Sequence, residues 1–261
     1  GDRQPLDGVT ARRFVRAAAS FIPLALRGRY SILQAVGGLR AFAAELAGTF
    51  ALTLAGAGAL CLDFATGGKI GPVGIALAYG AAAATVVHSF PSAVGRFNPA
   101  ITIAELVTHR VDARRGVLAI AAQLLGSTCA GLFLHAVLSG GRPELLLEPV
   151  YLGSCIPIGI GYRAATLVEA VATSFLALAV FAAELRRARR LGPLSVGAAT
   201  LLGALTAGPL TGGAMNPARA FGPALAAGRW SMHYIYWVGP LAGAIAAALA
   251  APYLIYEENR P

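Results

Sequence analysis

The tripeptide Asn-Pro-Ala occurs twice, at Asn98-Pro99-Ala100 and Asn216-Pro217-Ala218, and each copy lies in an apolar stretch and opens a short one of its own. Each reads as a helix start. An Asn side-chain carbonyl accepts from an orphan amide of the first turn, and Pro is best tolerated at the first helical position. The run after Asn98 meets His109 and Arg110 after roughly nine residues, about 14 Å of helix against a hydrocarbon core of about 30 Å. It is too short to span. The run after Asn216 is interrupted by Gly222-Pro223 and stopped by Gly228-Arg229, so it is equally short. Two half-length helices with positive N-termini, one in each half of the chain, point to a site at membrane depth between repeats.

That reading requires a membrane, and the composition supplies it: 57% of residues are hydrophobic and only 13% charged. Six stretches are long and apolar enough to cross, at about 41–62, 70–90, 115–138, 164–183, 193–210 and 233–255. Spans, half-helices and short links account for nearly everything from residue 41 onward, leaving one membrane domain. We therefore expect an all-α membrane protein of six transmembrane helices and two re-entrant half-helices.

A net charge of +9 would suggest nucleic acid in a soluble protein, but the placement of the charges argues otherwise. Arg3, Arg12, Arg13, Arg16, Arg27, Arg29 and Arg40 precede the first span. Arg96, Arg110, Arg114 and Arg115 flank the first half-helix, and Arg186, Arg187, Arg189 and Arg190 follow the fourth span. With the N-terminus inside, these and Arg260 share the cytoplasmic face, while Lys69, Arg142, Arg163 and Arg229 lie outside. The basic surplus is a topology signal, with anionic lipid as its partner and no role for nucleic acid.

Residues 1–40 carry an Arg-rich amphipathic pattern, with Phe14, Ala18, Phe21 and Ile22 opposite Arg12, Arg13 and Arg16. It reads as a cytoplasmic membrane-surface helix broken near Pro23, with an organelle-targeting sequence as the alternative. Beyond it the chain repeats itself, over about 41–138 and 162–256, ahead of a cytoplasmic tail at 257–261. Glu45 in Ala44-Glu45-Leu46-Ala47-Gly48-Thr49 has its counterpart in Glu169 of Val168-Glu169-Ala170-Val171-Ala172-Thr173. Each unit is span, span, half-helix, span. Three spans is an odd number, so the second copy enters upside down and its half-helix descends from the opposite face.

Where the half-helices meet, each contributes about half a positive charge, which disfavours a cation there. The asparagine oxygens serve as caps, leaving amide hydrogens as donors into the gap. Residues 94–97 and 212–215 are too irregular for helix, and non-helical backbone at this depth must line a wet cavity. Their carbonyls would form a ladder of acceptors. Arg219 is an intramembrane cation, which normally faces a cavity and here would act as donor and cation barrier in the outer pore. For Glu45 and Glu169 a coupling-ion site competes with a structural role, bonding to amides of the irregular loops; the structural role is preferred. Cys61, Cys129 and Cys155 imply no disulfide framework, and neither they nor His88, His109, His135 and His233 have metal-ligand spacing, so no cofactor is expected. With no nucleophile elbow, phosphate loop or zinc-peptidase motif, an enzyme is not expected either.

These residues together make the chain resemble the aquaporin family of major intrinsic proteins. The likeness covers about 41–256 and rests on both Asn-Pro-Ala motifs, Arg219, and the repeated Glu45 and Glu169. It implies an aquaporin-like bundle with one pore per protomer, assembled as a homotetramer in a cell membrane and passive toward water or small uncharged solutes. It also implies an outer constriction of Tyr79, Ala204, Gly213 and Arg219. Straight counting gives Ala78 for the first, because Ala93-Val94-Gly95-Arg96-Phe97-Asn98 is one residue short of the family's Ser-Gly-x-His-x-Asn pattern and lacks its His. Ala204, where strict water pores carry His, implies a wider aperture. Ala220 and Ala224, where glycerol-conducting members carry Asp and a basic residue, imply the opposite, as does Tyr236-Trp237. The expectation is a water channel with leak to small neutral solutes that excludes protons and ions. The alternatives are a glycerol, urea or metalloid-hydroxide facilitator, a closed-pore structural protein, and an inverted-repeat transporter.

Overall fold

The computed structural model describes residues 24–91, 96–146, 149–185 and 191–255, with side chains from residue 37 onward. The amphipathic pattern expected in 1–40 therefore lies largely outside the described residues, as do 94–95, 186–190 and the tail at 257–261. Among the described residues all regular structure is helical: α1 (Leu24–Ala65), α2 (Gly71–Ser89), α3 (Pro99–Val107), α4 (Ala113–Ser139), α5 (Tyr162–Leu185), α6 (Gly192–Thr211), α7 (Pro217–Ala227) and α8 (Ile235–Ile255). Six segments, Gly37–Ala65 within α1 and then α2, α4, α5, α6 and α8, are long and apolar enough to cross a bilayer. The remaining two, α3 and α7, have 9 and 11 residues, so they are the half-helices.

Local chemistry sets the boundaries. Asp63, near the end of α1, accepts from the amides of Ile70 and Gly71 at 3.0 and 2.7 Å and so anchors the start of α2. Asp112 caps α4 through the Arg115 amide. Gly212, at φ 86°, closes α6 in the left-handed conformation that glycine adopts without strain.

The duplication is visible in the packing. Helices α5 and α8 pack together, as do α2 and α6, while α7 lies on α4 and α3 touches both α4 and α8. At Gly126 of α4 a Cβ would strike the Leu46 carbonyl, and at Gly243 of α8 it would strike the Ala170 carbonyl. Leu46 and Ala170 each follow the repeated glutamate, so the same close crossing occurs once per half. Between halves, a Cβ on Gly80 would come 2.7 Å from the Gly197 carbonyl and one on Gly197 would come 2.7 Å from that of Gly80. Without a hydrophobic drive in lipid, such backbone contact is what dispersion can use.

Candidate functional site

Both asparagines cap their half-helices from extended backbone. Asn98 Oδ1 accepts from Ala100 N at 2.9 Å, and Asn216 Oδ1 accepts from Ala218 N at 3.0 Å. Their amide groups cross between halves: Asn98 Nδ2 donates to the Met215 carbonyl and Asn216 Nδ2 to the Phe97 carbonyl, both at 2.8 Å. One hydrogen of each amide is thus engaged by the opposite loop, whereas the sequence reading left both for the gap. The second hydrogen remains.

The loops entering the caps are strained. Arg96, Phe97 and Met215 have φ of 54°, 63° and 50°, a left-handed conformation that costs an L-residue about 1–2 kcal/mol. Buried carboxylates hold both loops. Glu45 accepts from Phe97 N at 2.9 Å and from Gln123 Nε2 at 2.8 Å. Glu169 accepts from Ala214 N, Met215 N and Thr211 Oγ1 at 2.9, 2.7 and 2.6 Å. Both glutamates are fully buried, so their side chains answer amides that water cannot reach.

Arg219, 2% exposed, projects from the first turn of α7. Its Nη1 donates to the Gly153 carbonyl at 2.9 Å and lies 2.8 Å from Cys155 Sγ, and its guanidinium carbon stands 5.9 Å from the Tyr79 ring centroid. Tyr79 Oη donates to the Ala214 carbonyl at 3.1 Å. Of the two candidates on α2, Tyr79 is therefore the one beside Arg219. A Cβ built on Gly213 would sit 3.1 Å from Ala204 Cα, so these two small residues are neighbours as well.

A cavity leads from the asparagine pair toward the Arg96 end, walled by Leu52, Val86, Val180, Val196 and Thr200. About 20 Å³ of it is open to the centre of a water molecule, a little more than one water requires.

Several residues here were not singled out from the sequence. Cys155, in the link between the halves, reaches Arg219 from a region that carries no periodic signal. Gln123 bridges Glu45 to Thr102, which it meets at 3.1 Å. Ser127 donates to the Ala218 carbonyl and accepts from Gly222 N, tying α7 to α4. Tyr236, marked in the sequence only as part of the Tyr236-Trp237 pair, donates its hydroxyl to the Thr211 carbonyl at 2.8 Å. Arg96, whose side chain the sequence counts as a topology charge and whose backbone lies in the irregular stretch 94–97, lines the cavity. At the far end of the molecule Arg142 donates to Glu144, which holds that exposed carboxyl below the usual carboxylate range. Among the described residues no cluster of His, Cys, Asp or Glu is arranged to hold a metal.

The family model described as major intrinsic protein matches residues 32–251. The chain belongs to that family. Aquaporin TIP4-4 of Zea mays is 39% identical over 233 residues, covering 85% of this chain and 89% of the relative. Aquaporin NIP1-1 of Zea mays is 34% identical over 238 residues, covering 90% and 81%. An aquaglyceroporin structure from Plasmodium falciparum superposes with a TM-score of 0.73 at 22% identity, over 84% of this chain and 97% of the other, a likeness of fold. This major intrinsic protein is an integral, multi-pass membrane channel with the aquaporin fold, and its family is one of channels rather than enzymes.

Proposed function

We propose that this channel passes water, and with it small uncharged solutes, while excluding protons and ions. The observation that carries the reading is the reciprocal asparagine clasp at the head of the cavity. Each amide keeps one hydrogen, and the positive ends of α3 and α7 meet there. A water accepting from both amides is oriented with its hydrogens away from them and is a poor relay for a proton. Arg219 adds a buried cation beside Tyr79, and in this reading the two form the outer constriction with the neighbouring pair Ala204 and Gly213. Glu45 and Glu169 serve the loops rather than a coupling ion, since their oxygens already take amide and hydroxyl hydrogens.

Ala204 and Gly213 have little or no side chain, which favours a second permeant class: glycerol, urea or a metalloid hydroxide. The arginine distribution supports N- and C-termini in the cytoplasm of a cell membrane, with Arg219 toward the outside. Exposed Leu167, Val171 and Phe175 follow one face of α5, suited to lipid or to neighbouring copies in a homotetramer. Stopped-flow light scattering on proteoliposomes tests the permeants. A sucrose step should give water efflux well above bare lipid, and a glycerol step should give reswelling. Water flux no faster than lipid would leave a closed, structural protein.

A further inference from the structure

From the placement of one side chain we infer that Arg96 is a second charge barrier of the pore, in series with Arg219 and on the other side of the asparagine pair. Among the described residues lining the cavity Arg96 is the one that carries a charge; its neighbours there include Val86, Val87, Val180 and Val196. It stands two residues before Asn98, in a left-handed conformation at φ 54°, on the loop that Glu45 holds through Phe97. The side chain is 25% exposed, and it lines the cavity while it pairs with Glu184.

Its position is set by Glu184 near the end of α5. Glu184 Oε1 accepts from Arg96 Nη2 at 2.8 Å and from Nε at 3.2 Å. Arg110 competes for the same carboxylate, with Nη1 3.9 Å from Oε2, while its guanidinium lies 4.6 Å above the Phe181 ring. Glu105, beneath them on α3, is within electrostatic reach of both Arg96 and Glu184. Two guanidinium groups thus share the Glu184 carboxylate, which together with Glu105 attenuates the field of Arg96. A cation crossing the pore meets Arg219, fully buried, and then the weaker barrier at Arg96. For barriers in series the higher one governs the leak, so the lower becomes visible when the higher is removed.

The inference rests on the pore reading above, and the test separates the two. Full-length protein in proteoliposomes is assayed for potassium leak, normalised to water flux, in an Arg219→Ala background. Adding Arg96→Ala should raise the leak about tenfold, the change that one unit charge makes at about 12 Å with an effective dielectric near 20. Adding Glu184→Gln should instead lower the leak severalfold, because Arg96 is then unneutralised, and Arg96→Lys should leave it near the parent value. Opposite signs for Arg96→Ala and Glu184→Gln are what a structural ion pair does not give, since breaking a pair from either side loosens the same contact. Equal signs, or a double variant no leakier than Arg219→Ala, would overturn the second barrier while water flux left the pore intact. Absence of water flux in the unaltered protein would overturn the pore and this barrier together.

Discussion

The two halves of the molecule agree at the asparagine pair and wherever the backbone needs a partner, and differ at the two ends of the pore. Asn98 and Asn216 cap their helices and clasp the opposite loop with the same distances. Glu45 and Glu169 hold their loops, and Gly126 and Gly243 admit the same carbonyl. The charges break the symmetry. Arg219 stands three residues after its Asn, where the first half has Ile101; Arg96 stands two before its Asn, where the second half has Ala214. The walls differ too: seven residues after Gly80 lies Val87, and seven after Gly197 lies Ala204. A buried amide at membrane depth has no alternative to a protein acceptor, so both copies keep one. The residues at the two ends of the pore carry no such obligation and are free to diverge.

The largest effect should come from removing a loop's carboxylate. Glu169→Ala leaves the Ala214 and Met215 amides without their acceptor, at about 1–2 kcal/mol each, or about 2–4 kcal/mol in all, while the Thr211 hydroxyl keeps the Ala207 carbonyl. We expect a large fall in the thermal midpoint in detergent and loss of water flux. Glu45→Ala should act in the same direction through Phe97 N and Gln123. A Glu45→Ala protein with wild-type stability would break the equivalence of the halves.

Next in size are the close crossings. Gly126→Ala and Gly243→Ala each place a methyl against a carbonyl of the facing span, an overpacking worth about 1–3 kcal/mol. The two midpoints should fall alike. If one variant is tolerated and the other is not, the spans of the two halves are not packed with equal rigidity.

The asparagines follow. Asn98→Ala and Asn216→Ala each lose a cap, about 1 kcal/mol, and a hydrogen bond across the halves, about another 1. Water flux per inserted protein should drop in both. Unchanged permeability in both would remove the asparagines from the mechanism.

Much of this was legible in the sequence, because membrane burial leaves a strong local trace. Spans expected at 41–62 and 193–210 are found as Gly37–Ala65 and Gly192–Thr211, and the half-helix starts follow directly from Asn-Pro. What sequence could not supply is contact between positions far apart. Cys155 meets Arg219 at a separation of 64 residues and Asn98 meets Met215 at 117, and neither pair has a periodicity to betray it. Between Tyr79 and Ala78 the sequence differs by one residue of loop length, and it carries no trace of the Tyr79 hydroxyl's bond to Ala214 or of the ring beside Arg219. The side chain of Arg96 carries only a topology charge in the sequence reading, though its backbone falls in the irregular stretch 94–97. Its left-handed backbone, which carries it to the cavity wall, has no signature in composition.

The smallest effect, and the most selective, concerns the wall difference itself. If Ala204 leaves the Arg219 end wider than the Val87 end, then Ala204→Val should make the two ends alike in bulk, and Ala204→His should add a polar donor as well. Glycerol must fit as a whole, so both variants should slow its permeation relative to water, by about tenfold, which corresponds to about 1.4 kcal/mol. Water is smaller and should fall less, and less with His than with Val, because an imidazole nitrogen can replace part of the hydration that valine cannot. The comparison of the two variants thus separates size from polarity. Should the unaltered protein already exclude glycerol, the aperture at Ala204 is closed by another group, and Cys155, 2.8 Å from the Arg219 guanidinium, is the side chain placed to close it. Cys155→Ala should then admit glycerol, and failure to do so would leave the constriction to the Tyr79 ring and the backbone of Gly213.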